Sequence, residues 1–244
     1  MYKRKTSTFL AVFLLMALTV KAQMSGTYSV DPTGAGDFKT LNELQSNLSS
    51  KGVSGPVTVN VEPGTYSERV TFKSIYGLSA TNTLLIQGDD PSTTLIEFTA
   101  TSSGDRSVVR IENLSYVTLK DISVKNNGTS YGWGIHVYSS GTQVEYVNLE
   151  NCQVEVRATS SSNFAGILYN GSTTSFSSSG RPIRNSTIEG CGTTGGYVGI
   201  MFTSNRNSSG ATGNRILNSK VTNYYFYGIY LNSLYGFELD GCSV

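Results

Sequence analysis

Apolar positions along the chain recur in two short patterns rather than in long runs. The first opens on Gly-Ile: Gly134-Ile135-His136-Val137, Gly166-Ile167-Leu168-Tyr169, Gly199-Ile200-Met201-Phe202 and Gly228-Ile229-Tyr230-Leu231, at spacings of 32, 33 and 29 residues. The second sets a small residue before a β-branched one: Asp121 before Val124, Asn151 before Val154, Asn185 before Ile188, Asn218 before Val221 and Gly241 before Val244. Leu119, Leu149, Ile183, Ile216 and Leu239 stand just upstream of these. The patterns interleave, so each unit holds at least two short strands, a bend and a Ser/Thr/Gly-rich loop. Such a unit cannot bury its apolar side alone, and units that stack coil on coil with parallel strands form a β-helix. The predicted fold class is all-β: a right-handed parallel β-helix with its repeats over about 107–244.

Asn, Asp and Gly tolerate the left-handed backbone conformation that turns a strand through a corner. Asp121, Asn151, Asn185, Asn218 and Gly241 are accordingly expected to form one structural ladder, with side-chain amides bonding from coil to coil. The alternative is a set of ordinary surface turns.

Upstream of the repeats, Thr40-Leu41-Asn42-Glu43 has the form of a helix capping box, and Phe38, Leu41, Leu44 and Leu48 make one apolar stripe. A short capping helix over about 38–51 is predicted, covering the first coil. Val57, Val59 and Val61, a turn at Pro63-Gly64, and Val70 with Phe72 mark the first strands. Before them, Lys3-Arg4-Lys5, an apolar run from Phe9 to Val20 and a small residue at Ala22 read as a secretory leader over 1–22, leaving a β-helix domain over 23–244. The run is shorter than the roughly 20 residues of a membrane span. The chain stops inside a repeat at Gly241-Cys242-Ser243-Val244, and the natural protein is expected to be longer.

Charge adds exclusions. With 18 basic and 17 acidic side chains and no basic face, the footprint of a nucleic-acid binder is missing. Charged residues make up 14% of the chain against 15 tyrosines, which suits a surface working through rings and hydroxyls.

The stretch Asp31-Pro32-Thr33-Gly34-Ala35-Gly36-Asp37-Phe38-Lys39-Thr40-Leu41, with Val59-Asn60-Val61-Glu62-Pro63-Gly64-Thr65-Tyr66-Ser67-Glu68, resembles the opening of pectinesterases. The similarity is closer to large secreted bacterial β-helix proteins that use the type IX export route, where Gly52 to Val57 and Ser79 to Thr83 are familiar phrases. The resemblance implies a pectin-lyase-like β-helix, a cell-surface or secreted location and a C-terminal sorting domain. It carries no catalytic site. The pectinesterase motifs that supply Gln, Asp and Arg are missing, and Ser179-Gly180-Arg181-Pro182-Ile183 lacks the Trp and the partner Asp. Of polygalacturonase motifs only Asp89-Asp90 matches, beside Pro91, where a turn is expected.

Glu150 and Asp240 share a register three coils apart, roughly 14 Å, too far for a glycosidase pair. His136 is the lone histidine, so no metal site is expected, and no cofactor either. Cys152 and Cys242 share a register at the same separation, beyond the roughly 7 Å reach of a disulfide, and Cys191, six residues after Asn185, reaches neither without a loop excursion. Three unpaired, mostly buried thiols are predicted. With each Ile of Gly-Ile facing inward, parity sends His136, Leu168, Met201 and Tyr230 outward on one side. Phe164, Tyr197 and Phe226 face outward on the other, and the glycines lie between. Phe164, Tyr197, Phe226, His136, Met201 and Tyr230 are the candidate ligand-binding residues, a trough in which a sugar ring can stack. The alternative is that a loop such as Ser172 to Ser179 folds over this face and buries it.

Three functions remain open: a non-catalytic extracellular β-helix for adhesion or polysaccharide binding; a polysaccharide lyase or glycoside hydrolase with catalytic residues outside this segment; or a structural stalk.

Overall fold

The computed structural model describes residues 22–205 and 211–244. The expected leader lies outside the described residues apart from Ala22. Its strands gather into three parallel sheets that run along a solenoid, the predicted β-helix. Sheet A takes Met24–Val30, Val53–Val61, Leu84–Gly88, Val117–Lys120, Val147–Glu150, Thr187–Glu189, Arg215–Leu217 and Glu238–Asp240. Sheet B takes Gly64–Ser67, Thr94–Phe98, Ser123–Asn126, Gln153–Glu155, Gly192–Thr194 and Lys220–Thr222. Sheet C takes Val70–Phe72, Ser107–Glu112, Gly132–Tyr138, Phe164–Asn170, Val198–Thr203 and Tyr227–Asn232. The short strands Val144–Glu145 and Ile183–Arg184 pair separately. Inward positions are stacked in rows: Leu119, Leu149, Ile188, Ile216 and Leu239 on sheet A, and Val109, Ile135, Ile167, Ile200 and Ile229 on sheet C.

The cap forms as the sequence predicts, over Leu41–Lys51 with Thr40 at its N-cap. The Thr40 hydroxyl accepts from the Glu43 amide at 3.0 Å, while the Glu43 carboxylate accepts from the Lys39 amide at 2.9 Å. Glu68 completes the cap by accepting from the Leu41 and Asn42 amides at 2.8 and 3.0 Å. Leu41, Leu44 and Leu48 are buried, and the helix packs on Met24–Val30 and Val70–Phe72, the terminal strands of sheets A and C.

The corner between sheets A and B differs from expectation at one coil. Asp121, Asn151, Gly190, Asn218 and Gly241 occupy it, all at positive φ. Asn185 belongs instead to the corner that leads into sheet A, level with Tyr146 and Gly213. The cause is that Ile188 aligns with Leu149 and Ile216, so the bend falls after it, at Gly190. A glycine supplies the backbone angle without an amide, and among the described residues the side-chain ladder is carried by Asn151 Nδ2 donating to Asp121 Oδ1 at 2.7 Å.

The same realignment moves Cys191 beside Cys152, one coil on, with Ser219 and then Cys242 following in that row. All three cysteines are free thiols as predicted, two of them buried. The neighbouring Cys191 thiol, followed by burial, pushes Cys152 well above the ordinary thiol range. Titration of the folded protein with a chromogenic disulfide reagent is expected to label Cys242 and spare Cys152 and Cys191, all three reacting in denaturant; fast labelling of Cys152 in the native protein would contradict this packing.

The repeated glycines do not line an outer trough. A methyl group on Gly134 would meet Val154 Cγ1 and the Gly166 carbonyl; on Gly199 and Gly228 it would meet Val221 and Val244, and on Gly166 Thr193. Sheet B presses its β-branched side chains across a narrow core onto these positions, so Gly and the following Ile both face inward. This irregularity reverses the parity upstream and puts Trp133, Ala165 and Val198 outside. Gly134→Ala is expected to cost about 1–3 kcal/mol in urea unfolding, because the carbonyl it meets cannot move aside.

Candidate functional site

Three surfaces on the described chain hold concentrated chemistry. The first is the outer face of sheet C, where the ligand-binding stripe was expected. Trp133, Ala165 and Val198 form one outward row, and His136, Leu168, Met201 and Tyr230 another. These rows make a second apolar cluster outside the solenoid core, against which Phe176, Tyr227 and Tyr230 pack. The segment around Phe176 is fastened over it by Asn170, whose Nδ2 donates to the carbonyls of Ser175 and Phe176 at 3.1 and 2.9 Å. Asn170 Oδ1 accepts from the Ser172 amide at 3.1 Å, and Arg106 Nη1 donates to the Thr174 carbonyl at 2.8 Å.

Of the six candidate ligand-binding residues, Phe164, His136 and Met201 are therefore buried and corrected to packing positions, and Tyr230 is half-buried. For His136 and Met201 the reason is the covering segment, as the alternative reading had it, whereas the Phe164 ring lies against Gly132 of the preceding coil. What stays accessible is a ledge at the far coil. Tyr197 stacks on Phe226 at 5.4 Å and 7° and on Tyr225 at 6.2 Å and 22°, with Tyr225 58% and Phe226 54% exposed.

The second surface was not anticipated. At the corner leading into sheet A, Tyr116 and Tyr146 stand one coil apart with rings stacked at 5.2 Å and 17°. Both are held in the left-handed region, at φ 62° and 53°. Asn185 and Gly213, which suit that angle, take the equivalent places on later coils. Tyr146 is 43% exposed. The pair borders a groove of about 480 Å³ lined also by Ala80, Thr83, Thr118 and Asn148, an apolar wall over hydroxyl and amide groups. The Tyr116 hydroxyl donates to Glu145 at 3.2 Å, and partial burial followed by that carboxylate raises its pKa. The repeated phrase Tyr116-Val117-Thr118-Leu119 and Tyr146-Val147-Asn148-Leu149 is the signal that marks the pair in the sequence.

The third is a polar patch beneath the covering segment. His136 Nε2 lies 2.8 Å from Asn170 Oδ1 and, since that oxygen also accepts from a backbone amide, carries the ring proton. The imidazole packs against Trp133, edge to face at 5.1 Å, and neighbours Arg110 on the preceding coil. Burial, followed by the Arg110 charge, lowers its pKa to about 3.

Among the described residues no group of three or more His, Cys, Asp or Glu is placed to hold a metal ion, and no helix is long and apolar enough to cross a membrane. Asp89-Asp90 is a turn, Asp90 Oδ1 accepting from the Ser92 amide at 2.7 Å. Glu150 and Asp240 fall in one row of sheet A, with Glu189 and Leu217 between them.

Set against known proteins, the sequence matches no family description and no curated protein. Solved structures share the fold. A pectin methylesterase from Aspergillus niger aligns at 13% identity over 91% of this chain and 77% of its own, with a TM-score of 0.56. A carrot pectin methylesterase aligns at 14% over 82% and 65%, TM-score 0.53. The GH136 lacto-N-biosidase of Eubacterium ramulus aligns at 13% over 84% of this chain and 42% of that larger one, TM-score 0.60. At such identities the likeness is one of architecture.

The buried histidine gives a pH prediction. His136 stays neutral in the folded chain down to about pH 3, whereas in the unfolded chain it protonates below 6.5. Its contribution leaves stability unchanged above that value and lowers it by about 1.4 kcal/mol per pH unit as pH falls through the window between. His136→Leu, which repeats Leu168 of the next coil, is expected to flatten that part of the stability profile relative to the native chain; parallel profiles would refute the assignment.

Proposed function

We propose that this chain is a secreted or cell-surface β-helix that binds a polysaccharide or other glycan without cleaving it, with the groove beside Tyr116 and Tyr146 as its sugar-holding surface. The observation that carries this reading is the pair of left-handed tyrosines. A bulky residue at positive φ costs about 1–2 kcal/mol where Asn or Gly would not. The fold itself needs only the angle, as Asn185 and Gly213 show, so the rings answer to something other than folding. Stacked rings beside Thr83, Thr118 and Asn148 offer a sugar an apolar face and hydrogen-bonding groups together. The ledge of Tyr197, Tyr225 and Phe226 is a second surface of the same chemistry.

Several observations support the setting. The leader-like first 22 residues and the resemblance to type IX-exported bacterial proteins favour export, with 23–244 as the mature β-helix domain. Solved structures of the same architecture are named for pectin and for lacto-N-biose chemistry. The non-cleaving reading rests on the lining of the groove itself: Ala80, Thr83, Tyr116, Thr118, Tyr146 and Asn148 include no pair of carboxylates, and the adjacent Glu150 and Glu189 lie on sheet A outside that lining.

Polysaccharide pull-down and a glycan array on residues 23–244 test this. Tyr116→Asn/Tyr146→Asn keeps the corner angle, so the double variant is expected to fold normally and lose at least tenfold in affinity, while Phe226→Ala loses less. Loss confined to Phe226→Ala would move the site to the ledge. Unsaturated or reducing ends released from any bound polymer would refute the non-catalytic reading.

A further inference from the structure

The outer face of sheet C hides an unusual set of hydrogen-bond donors. Arg106 and Arg110 are buried, Arg69 is half-buried, and the indole of Trp133 is fully enclosed. Arg69 Nε, Arg106 Nε, Arg110 Nη2 and Trp133 Nε1 are each shielded from solvent with no acceptor among the described residues. They belong to one patch. The Arg106 guanidinium lies 5.2 Å from the Trp133 ring centroid and 4.9 Å from that of Tyr131. Arg110 Nε donates to Ser107 Oγ at 3.3 Å, and Ser107 is the strand neighbour of Trp133. Thr71, two residues after Arg69, is the strand neighbour of Arg110.

Charge and hydrogen bonding are each met in part: Arg69 Nη2 donates to the Gly104 carbonyl at 3.3 Å and Arg106 Nη1 to that of Thr174 at 2.8 Å. Glu112, 3.4 Å from Arg110, is the carboxylate in ion-pair contact with any of the three arginines among the described residues. Burial lowers the pKa of Arg106, and burial followed by the Arg110 charge lowers that of Arg69 against the opposing pull of Asp105 and Glu112. A buried donor left unpaired is costly, and more so when charged, so four in one patch call for an acceptor with several lone pairs and negative charge.

We propose that Arg69, Arg106, Arg110 and the Trp133 indole form a binding site for an oxyanion, either free in solution or carried as a substituent on a larger ligand. Guanidinium forks suit phosphate, sulfate and carboxylate alike, and the indole adds a single directed donor. The half-buried Arg69 marks the side on which the patch meets solvent. This site is separate from the Tyr116–Tyr146 groove and does not rest on the glycan reading.

Trp133 is the one tryptophan in the sequence, so its indole N–H gives an unambiguous nitrogen–proton correlation peak. Titration of the folded chain with inorganic phosphate or sulfate, at ionic strength held constant with chloride, is expected to move that peak to lower field along a saturable curve. Arg110→Gln should abolish the shift. Arg69→Gln, at the solvent edge, should weaken it at least fivefold with the peak otherwise in place, which guards against loss of fold in the buried variant. Acetate and a sulfated or phosphorylated sugar, run as parallel arms, separate a tetrahedral from a planar anion and a free from a carried one. An indole peak that none of these moves would mean that ordered water holds the donors, and would overturn the proposal.

Discussion

Register between parallel coils is the constraint from which the rest of this molecule follows. In a solenoid each strand hydrogen-bonds to its equivalents one coil before and after, so a residue's chemistry is imposed on a row rather than on a point. Inward rows must stay apolar, and the core is narrow enough that a β-branched side chain on sheet B leaves no room for a Cβ on sheet C opposite. That single clash accounts for the Gly-Ile repeat. It also accounts for the reversed parity that sends Trp133, Ala165 and Val198 outward. Corners obey the same rule: the backbone angle is inherited along the row whether Asp, Asn, Tyr or Gly occupies it.

Where a row's angle is fixed but its side chain is not, residue choice carries information beyond folding. At the corner between sheets A and B, Asp121 and Asn151 use the freedom to join adjacent coils through an amide bond, and Gly190 and Gly241 leave it unused. At the corner into sheet A, two tyrosines occupy places that Asn and Gly fill more easily. Their stacking returns about 0.5–1.5 kcal/mol, comparable with the backbone strain, so the pair persists without stabilising the solenoid appreciably.

Most of the architecture was legible in the sequence because a β-helix writes its period into composition: the Gly-Ile rows, the capping box at Thr40 and the alternating valines from Val57 all fall where expected. Two kinds of error arose. Asn185 matched the corner pattern by composition, but strand alignment is set by the inward row, and only the position of Ile188 relative to Leu149 and Ile216 places the bend at Gly190. The exposure of the sheet C stripe was misjudged because alternation reports which way a side chain leaves its strand, and says nothing of a loop forty residues away that returns to cover it. Phe176 and the bonds of Asn170 are long-range facts without a period.

The cover itself explains why polar groups are concentrated under it. An outward face of a solenoid is free of the core's apolar requirement, so it can carry Arg110 and His136 in one row. Once a segment closes over that row, those groups face the desolvation cost of an interior without its hydrogen-bond supply. Asn170 meets part of that cost, linking His136 on one side to Ser175 and Phe176 on the other, and it leaves the imidazole neutral. The arginines on the other flank are met in part, Arg106 by Thr174 and Arg110 by Ser107 and Glu112, while Arg106 Nε and Arg110 Nη2 have no acceptor among the described residues. Covered yet under-bonded, that flank differs in kind from both the sealed core and the open tyrosine groove, and the burial that hides it from a sequence pattern is what gives each of its unpaired donors energetic weight.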